Sequence, residues 1–191
     1  MQLDRIAAAT PFPHAHLPDL LPQQIANATL DWFRKTAPWR LLVASFYEQY
    51  EFSLLGDPPP QGLERLTDGD FIAELASLLQ AEFGERDRLD LVDIAAHKLV
   101  SGQIIRIHND FIDTEESHRI LIQLNEGWQI ENGGLLMLFG SDDPEDVQVV
   151  ILPRHGSCFA FEISPTSHHA VSRIHKGDRY TLVYTFKRQA Q

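Results

Sequence analysis

From residue 88 onward the chain is written as short apolar runs broken by turn residues, and this punctuation restricts the fold more than any other feature. The runs are LDLVDIAAHKLV (89–100), QIIRIH (103–108), RILIQL (119–124), LLMLF (135–139), VQVVIL (147–152), CFAFEI (158–163) and RYTLVYTF (179–186). Between them stand Ser101-Gly102, Asn132-Gly133-Gly134, Ser141-Asp142-Asp143-Pro144 and His155-Gly156, residues that favour tight turns. About seven strands at this spacing predict a sandwich, barrel or jelly roll rather than alternating α/β units.

The first part of the chain has a different texture. Pro11, Pro13, Pro18 and Pro22 suggest an extended arm. Ile25, Ala28 and Trp32 then recur at helical spacing within 23–35, and RLLVASFY (40–47) resembles a strand. After the turn-rich GDPPPQG (56–62) a second helix is well signalled. Asp68 or Asp70 can cap it, Phe71, Leu75, Leu78, Leu79 and Phe83 form its stripe, and Gly84 stands where a C-terminal cap belongs. The expected fold class is therefore mainly β (α+β). A single domain over 1–191 is expected, in which an N-terminal part of about 1–87 packs on a β core of about 88–187.

Charge and composition narrow the partners. The 191 residues carry a formal net charge of -11 and no Lys/Arg-rich run, so a phosphate backbone would be repelled and nucleic-acid binding is not expected. The single cysteine, Cys158, cannot form an intrachain disulfide and reads as a small core residue. The start MQLDRIAAAT lacks the basic and apolar regions of a signal peptide, and no run approaches the roughly 18 apolar residues of a membrane span. A cytoplasmic protein without membrane contact is the expectation; its oligomeric state is not legible.

Chemistry enters at His108-x-Asp110. Residues two apart on a strand share a face, so an imidazole and a carboxylate can project toward one point. Alone this is weak, because His-x-Asp occurs by chance about 0.7 times in such a composition. About sixty residues later come Ser167-His168-His169-Ala170-Val171 and then Gly177-Asp178-Arg179-Tyr180-Thr181. Two antiparallel strands joined by a turn at Lys176-Gly177 would bring His169 and Arg179 to one side of a barrel mouth. Arg179 and Thr181 alternate to one face, where guanidinium and hydroxyl could grip one carboxylate. Two His and one carboxylate with open positions form the ligand set of non-haem Fe(II) oxygenases.

His108-x-Asp110, His169-x-Val171 and Gly177-x-Arg179-x-Thr181, in that order, resemble the prolyl 4-hydroxylase-like branch of the 2-oxoglutarate/Fe(II)-dependent dioxygenases. The resemblance covers roughly residues 90–187, and the Gly133-Gly134 pair before LLMLF belongs to it. It implies a double-stranded β-helix (jelly roll) core with N-terminal packing helices, and Fe(II) held by His108, Asp110 and His169. It implies 2-oxoglutarate and O2 as cosubstrates, with the far carboxylate of 2-oxoglutarate on Arg179. Release of succinate and CO2 would accompany hydroxylation of an unactivated C–H bond. The substrate would be an amino-acid residue in a peptide or protein, or a free amino acid. Asp110 favours hydroxylation over halogenation, because related halogenases carry a small residue there. Leu99 and Gln123 stand where many prolyl hydroxylases carry Tyr.

Other residues bear weaker expectations. Gln123 is a polar residue in a core-like strand and needs a partner, for which the cosubstrate is one candidate. Asn109, Arg119 and Trp128 are candidate substrate contacts. His168 should face away from His169. His14 and His16 read as surface residues of the Pro-rich arm. The rival reading is a cupin-like metal-binding module, an isomerase or small-molecule sensor without oxidative chemistry.

Overall fold

The computed structural model describes residues 6–17, 19–112 and 116–189. In chain order they form β1 (Ile6–Ala8), β2 (His14–Leu17), α1 (Gln23–Lys35), β3 (Arg40–Val43), β4 (Glu48–Ser53), α2 (Gly69–Phe83), β5 (Arg88–Leu99), β6 (Ile105–His108), β7 (His118–Gln123), β8 (Leu136–Phe139), β9 (Val147–Ile151), β10 (Cys158–Glu162), β11 (His169–Val171) and β12 (Arg179–Gln189). Two antiparallel sheets result. The larger has the order β1-β2-β10-β7-β12-β5-β4-β3 and the smaller β6-β11-β8-β9. This is the expected jelly roll, mostly β with two helices.

The two faces of β12 explain the architecture. Tyr180, Leu182, Tyr184 and Phe186 alternate onto one face and join the core formed with α1 and α2. Phe71 of α2 meets Tyr184 edge-on at 5.9 Å, and the Tyr184 hydroxyl donates to the carbonyl of Leu66 at 2.8 Å. Burying each such large side chain contributes about 1.5–3 kcal/mol. Arg179, Thr181, Val183 and Thr185 point the other way, into the space between the sheets. Three of these four are polar yet buried, so this face serves something other than packing.

α2 begins where its cap chemistry dictates. The Asp68 carboxylate accepts from the backbone N–H groups of Asp70 and Phe71, both at 3.0 Å, and Gly84 closes the helix at φ 65°. The N-terminal part departs from a simple helices-first plan. The Pro-rich arm is not loose: β2 pairs with β10, and β4 pairs with β5, so this part widens the larger sheet at both edges. His14 accordingly is buried, contrary to the surface reading, and its Nδ1 contacts the carbonyl of Phe12 at 2.8 Å. Cys158 is buried as expected. Pro18 lies outside the described residues. Among the described residues, no helix is long and apolar enough to cross a membrane.

Candidate metal centre

His108 ends β6 and His169 begins β11, and the two are direct antiparallel partners in the smaller sheet. Cross-strand partners share a face, so their rings lie 4.2 Å apart, centre to centre. Asp110 does not arrive by strand alternation. The strand ends at His108, and Asp110 turns back in the left-handed region at φ 59°, a conformation that Asp tolerates better than most residues. Ser167 ties the two segments together: its hydroxyl donates to the carbonyl of Asn109 at 2.8 Å, and its own carbonyl contacts His169 Nδ1 at 2.8 Å.

The protonation pattern gives the cluster its chemistry. His108 Nδ1 contacts the Arg106 carbonyl at 2.9 Å, as His169 Nδ1 contacts that of Ser167. A carbonyl accepts only, so both Nδ1 atoms carry a proton, and Nε2 is the ring nitrogen left to act as a ligand. Those Nε2 atoms sit 3.3 Å and 3.1 Å from the Asp110 carboxylate. Lone pairs at such distances repel unless a cation lies among them. Burial holds His169 below the usual histidine range, which disfavours a second ring proton as that cation. Burial pushes Asp110 up, but the Arg119 guanidinium outweighs it and holds the carboxyl well below the usual carboxylate range. The three ligand atoms lie within 4.8 Å of one another, so a divalent metal fits them. Among the described residues this is the only such cluster.

The cluster opens into a cavity of about 330 Å³ between the sheets. On its floor Arg179 is 3 % exposed. Its Nε donates to the Gly134 carbonyl at 2.9 Å and its Nη1 to the Thr181 hydroxyl at 2.7 Å, while Nη2 has no partner. Burial lowers Arg179 to about 10, so it remains a cation at neutral pH. A buried guanidinium with one terminal nitrogen unpartnered calls for an anion. Gly134 (φ 66°) is needed for this: a Cβ there would lie 2.9 Å from Arg179 Cδ and 2.6 Å from Ile174 Cδ1.

His108, Asp110, His169, Arg179, Thr181 and Arg119 all line the cavity. Gln123 stands behind it, accepting from the Thr181 hydroxyl at 3.1 Å, so Thr181 is its partner. Asn109 donates to the Pro165 carbonyl and accepts from the Phe111 N–H, and it does not line the cavity. Trp128 is buried, donates to the Gly133 carbonyl, and borders a different cleft with Arg34 and Asp178. Asn109 and Trp128 thus make their hydrogen bonds outside the lining of this cavity. The expected hairpin between His169 and Arg179 is also corrected: β11 and β12 lie in different sheets, and the residues meet across the gap rather than along a ladder. Sequence reasoning missed His97, Glu51, Asp93 and Phe46. The signal available was the polar alternation of Asp93 and His97 inside an apolar run.

Comparison with known proteins agrees with this geometry. Residues 94–187 match the sequence model of the 2OG-Fe(II) oxygenase superfamily. A prolyl 3-hydroxylase of Xenopus laevis is 33% identical over 86 residues, 44% of this chain, and the match spans 17% of that protein's length. A Pseudomonas putida prolyl-4-hydroxylase superposes with TM-score 0.66 at 17% identity, covering 92% of each chain. A Trichoplax adhaerens prolyl hydroxylase, solved with a hypoxia inducible factor peptide fragment, gives TM-score 0.70 at 14% identity over 92% of this chain and 83% of that one. At these identities the structural likeness is one of fold.

Proposed function

We propose, on the premise that this chain belongs to the 2OG-Fe(II) oxygenase superfamily, that it is a 2-oxoglutarate-dependent Fe(II) hydroxylase acting on an amino-acid residue in a peptide or protein, or on a free amino acid. His108, Asp110 and His169 would hold the iron, and Arg179, positioned by the Thr181 hydroxyl, would hold the far carboxylate of 2-oxoglutarate. The observation that carries this reading is the pair of Nε2 atoms facing the Asp110 carboxylate, beside a buried Arg179 whose Nη2 has no partner. When bound, iron and 2-oxoglutarate would activate O2 as the oxidant: 2-oxoglutarate is oxidised to succinate and CO2 with one oxygen atom, and the other enters a substrate C–H bond.

The chain's own residues bind, orient and shield. The Arg106 and Ser167 carbonyls fix both imidazoles with Nε2 inward. Arg119 donates to Asp110 Oδ2 at 2.6 Å, which leaves Oδ1 the freer ligand. Phe46 stacks on His108 at 4.6 Å and Phe161 lies 4.9 Å from His169, keeping water off the ligand rings. Gln123 orients the Thr181 hydroxyl, whose lone pairs face Arg179.

The non-oxidative cupin-like module does not account for Arg179, since such a site needs no carboxylate clamp. A cytoplasmic location remains part of the proposal. The test is release of CO2 from 1-labelled 2-oxoglutarate by the iron-loaded chain across amino acids and peptides. Release that requires Fe(II) and O2 and rises with one of these substrates is expected; none above the metal-free control would refute the reading.

A further inference from the structure

The cavity has a second polar wall, opposite the metal cluster and unused by the chemistry above. It is built from β4 and β5, where Glu51 is the direct cross-strand partner of His97. Two alternations further along β5, on the same face, stands Asp93, whose cross-strand partner is Thr185. Both carboxylates line the cavity. Each has a neutral donor only: Gln49 Nε2 reaches Glu51 at 2.7 Å, and the Ser53 hydroxyl reaches Asp93 at 2.5 Å. Among the described residues, no ion pair involves either carboxylate.

A separate observation points the same way. Gln49 is 3 % exposed, also lines the cavity, and its Oε1 is buried without a partner. The amide cannot be turned round, because Glu51 accepts only and must face the NH2 group. The orphan is therefore an acceptor, and an unpaired buried acceptor costs about 1–3 kcal/mol until a donor meets it.

Charge accounting identifies the missing donor. A metal dication with Asp110, a 2-oxoglutarate dianion with Arg179, and Arg119 with Glu116 together leave no net charge. Glu51 and Asp93 remain over. Arg119 does not serve them: its terminal nitrogens donate to Asp110 and Glu116 at 2.6 Å and 2.7 Å, and its Nε, buried without a partner, reaches neither carboxylate. His97 cannot either, because burial, with Arg119 adding, lowers it to about 3 and leaves it neutral. A second metal is not indicated, as these residues do not gather their ligand atoms as the three at the centre do.

We propose that the substrate of this site carries an ammonium or guanidinium group, received by Glu51, Asp93 and the free carbonyl of Gln49. The inference rests on the hydroxylase reading and narrows its substrate to a basic amino acid or a residue beside one. Such a group brings several N–H donors for three acceptors and offsets one of the two surplus charges. A neutral side chain of equal length would strand both carboxylates.

The experiment uses the zinc- and 2-oxoglutarate-loaded chain, which binds without turnover. N-acetyl-lysine methylamide, N-acetyl-arginine methylamide and the neutral N-acetyl-norleucine methylamide are titrated by calorimetry or ligand-observed NMR. At least one cationic probe should bind tenfold or more tighter than the norleucine probe, and the Glu51→Gln/Asp93→Asn double variant should erase that preference. Equal binding of the neutral probe, a preference that survives in the double variant, or no binding by any probe would overturn the inference. The same preparation loaded with Fe(II) is checked for its visible band with 2-oxoglutarate. A band without cation preference defeats the substrate inference alone, whereas absence of the band defeats the hydroxylase reading beneath it.

Discussion

Arg179 shows how one residue acquires a function from its surroundings. On an exposed edge it would be an ordinary surface cation. At 3 % exposure, with Gly134 opened for its stem and Thr181 held by Gln123, it keeps one donor in reserve. A charge-assisted contact of this kind is worth about 1.5–3 kcal/mol, or roughly 10- to 100-fold in affinity. Arg179→Leu should therefore raise the dissociation constant for 2-oxoglutarate by about that factor. Iron affinity should change little, because Arg179 makes no contact with His108, Asp110 or His169 among its hydrogen bonds. Calorimetric titration of both ligands into both proteins checks this, and unchanged 2-oxoglutarate binding would move the clamp elsewhere.

At the scale of elements, α2 is written most plainly in the sequence and can be tested most simply. Asp68 satisfies two N–H groups that would otherwise be orphaned. Asp68→Ala should cost about 1 kcal/mol, read as a lower urea midpoint with unchanged slope. A midpoint equal to that of the wild type would show that α2 is held by packing alone. The strand runs of the core were equally legible, because alternation and turn residues act locally. The strands of the Pro-rich arm were not. Their partners, such as Phe159 opposite His16, lie more than a hundred residues away. The same limit explains the site. Motif order placed His108, Asp110, His169 and Arg179 on the list of candidates. Local alternation could not show that Asp110 turns in a left-handed conformation, or that His169 pairs with His108 rather than with β12. Closeness in sequence to the metal motif or the Gly pair does not reveal that Asn109 and Trp128 donate to the Pro165 and Gly133 carbonyls.

Across the whole molecule, the sheets bury titratable groups whose state couples folding to pH. His118 is fully buried beside Phe83, with Glu162, Glu85 and Arg188 as its charged neighbours, and burial lowers it to about 4. Folded chains keep this ring neutral, while unfolded chains protonate it near the ordinary value of 6.5. Stability is thus fully present above pH 6.5 and is lost as pH falls from there toward 4, by up to about 1.4 kcal/mol per pH unit for this one group. Urea unfolding of metal-free protein between pH 7 and 5 should show this slope, and His118→Gln should flatten it. An identical acid limb in that variant would assign the loss to other groups.

The union of the two sheets around one cluster is the central claim, and anaerobic titration of the Fe(II)-loaded chain with 2-oxoglutarate tests it most directly. Chelation of iron by the cosubstrate gives a weak visible charge-transfer band. The account predicts a saturable band that disappears in His169→Ala and His108→Ala and needs more 2-oxoglutarate in Arg179→Leu. Iron demonstrably bound, with no band at any 2-oxoglutarate concentration, would contradict it.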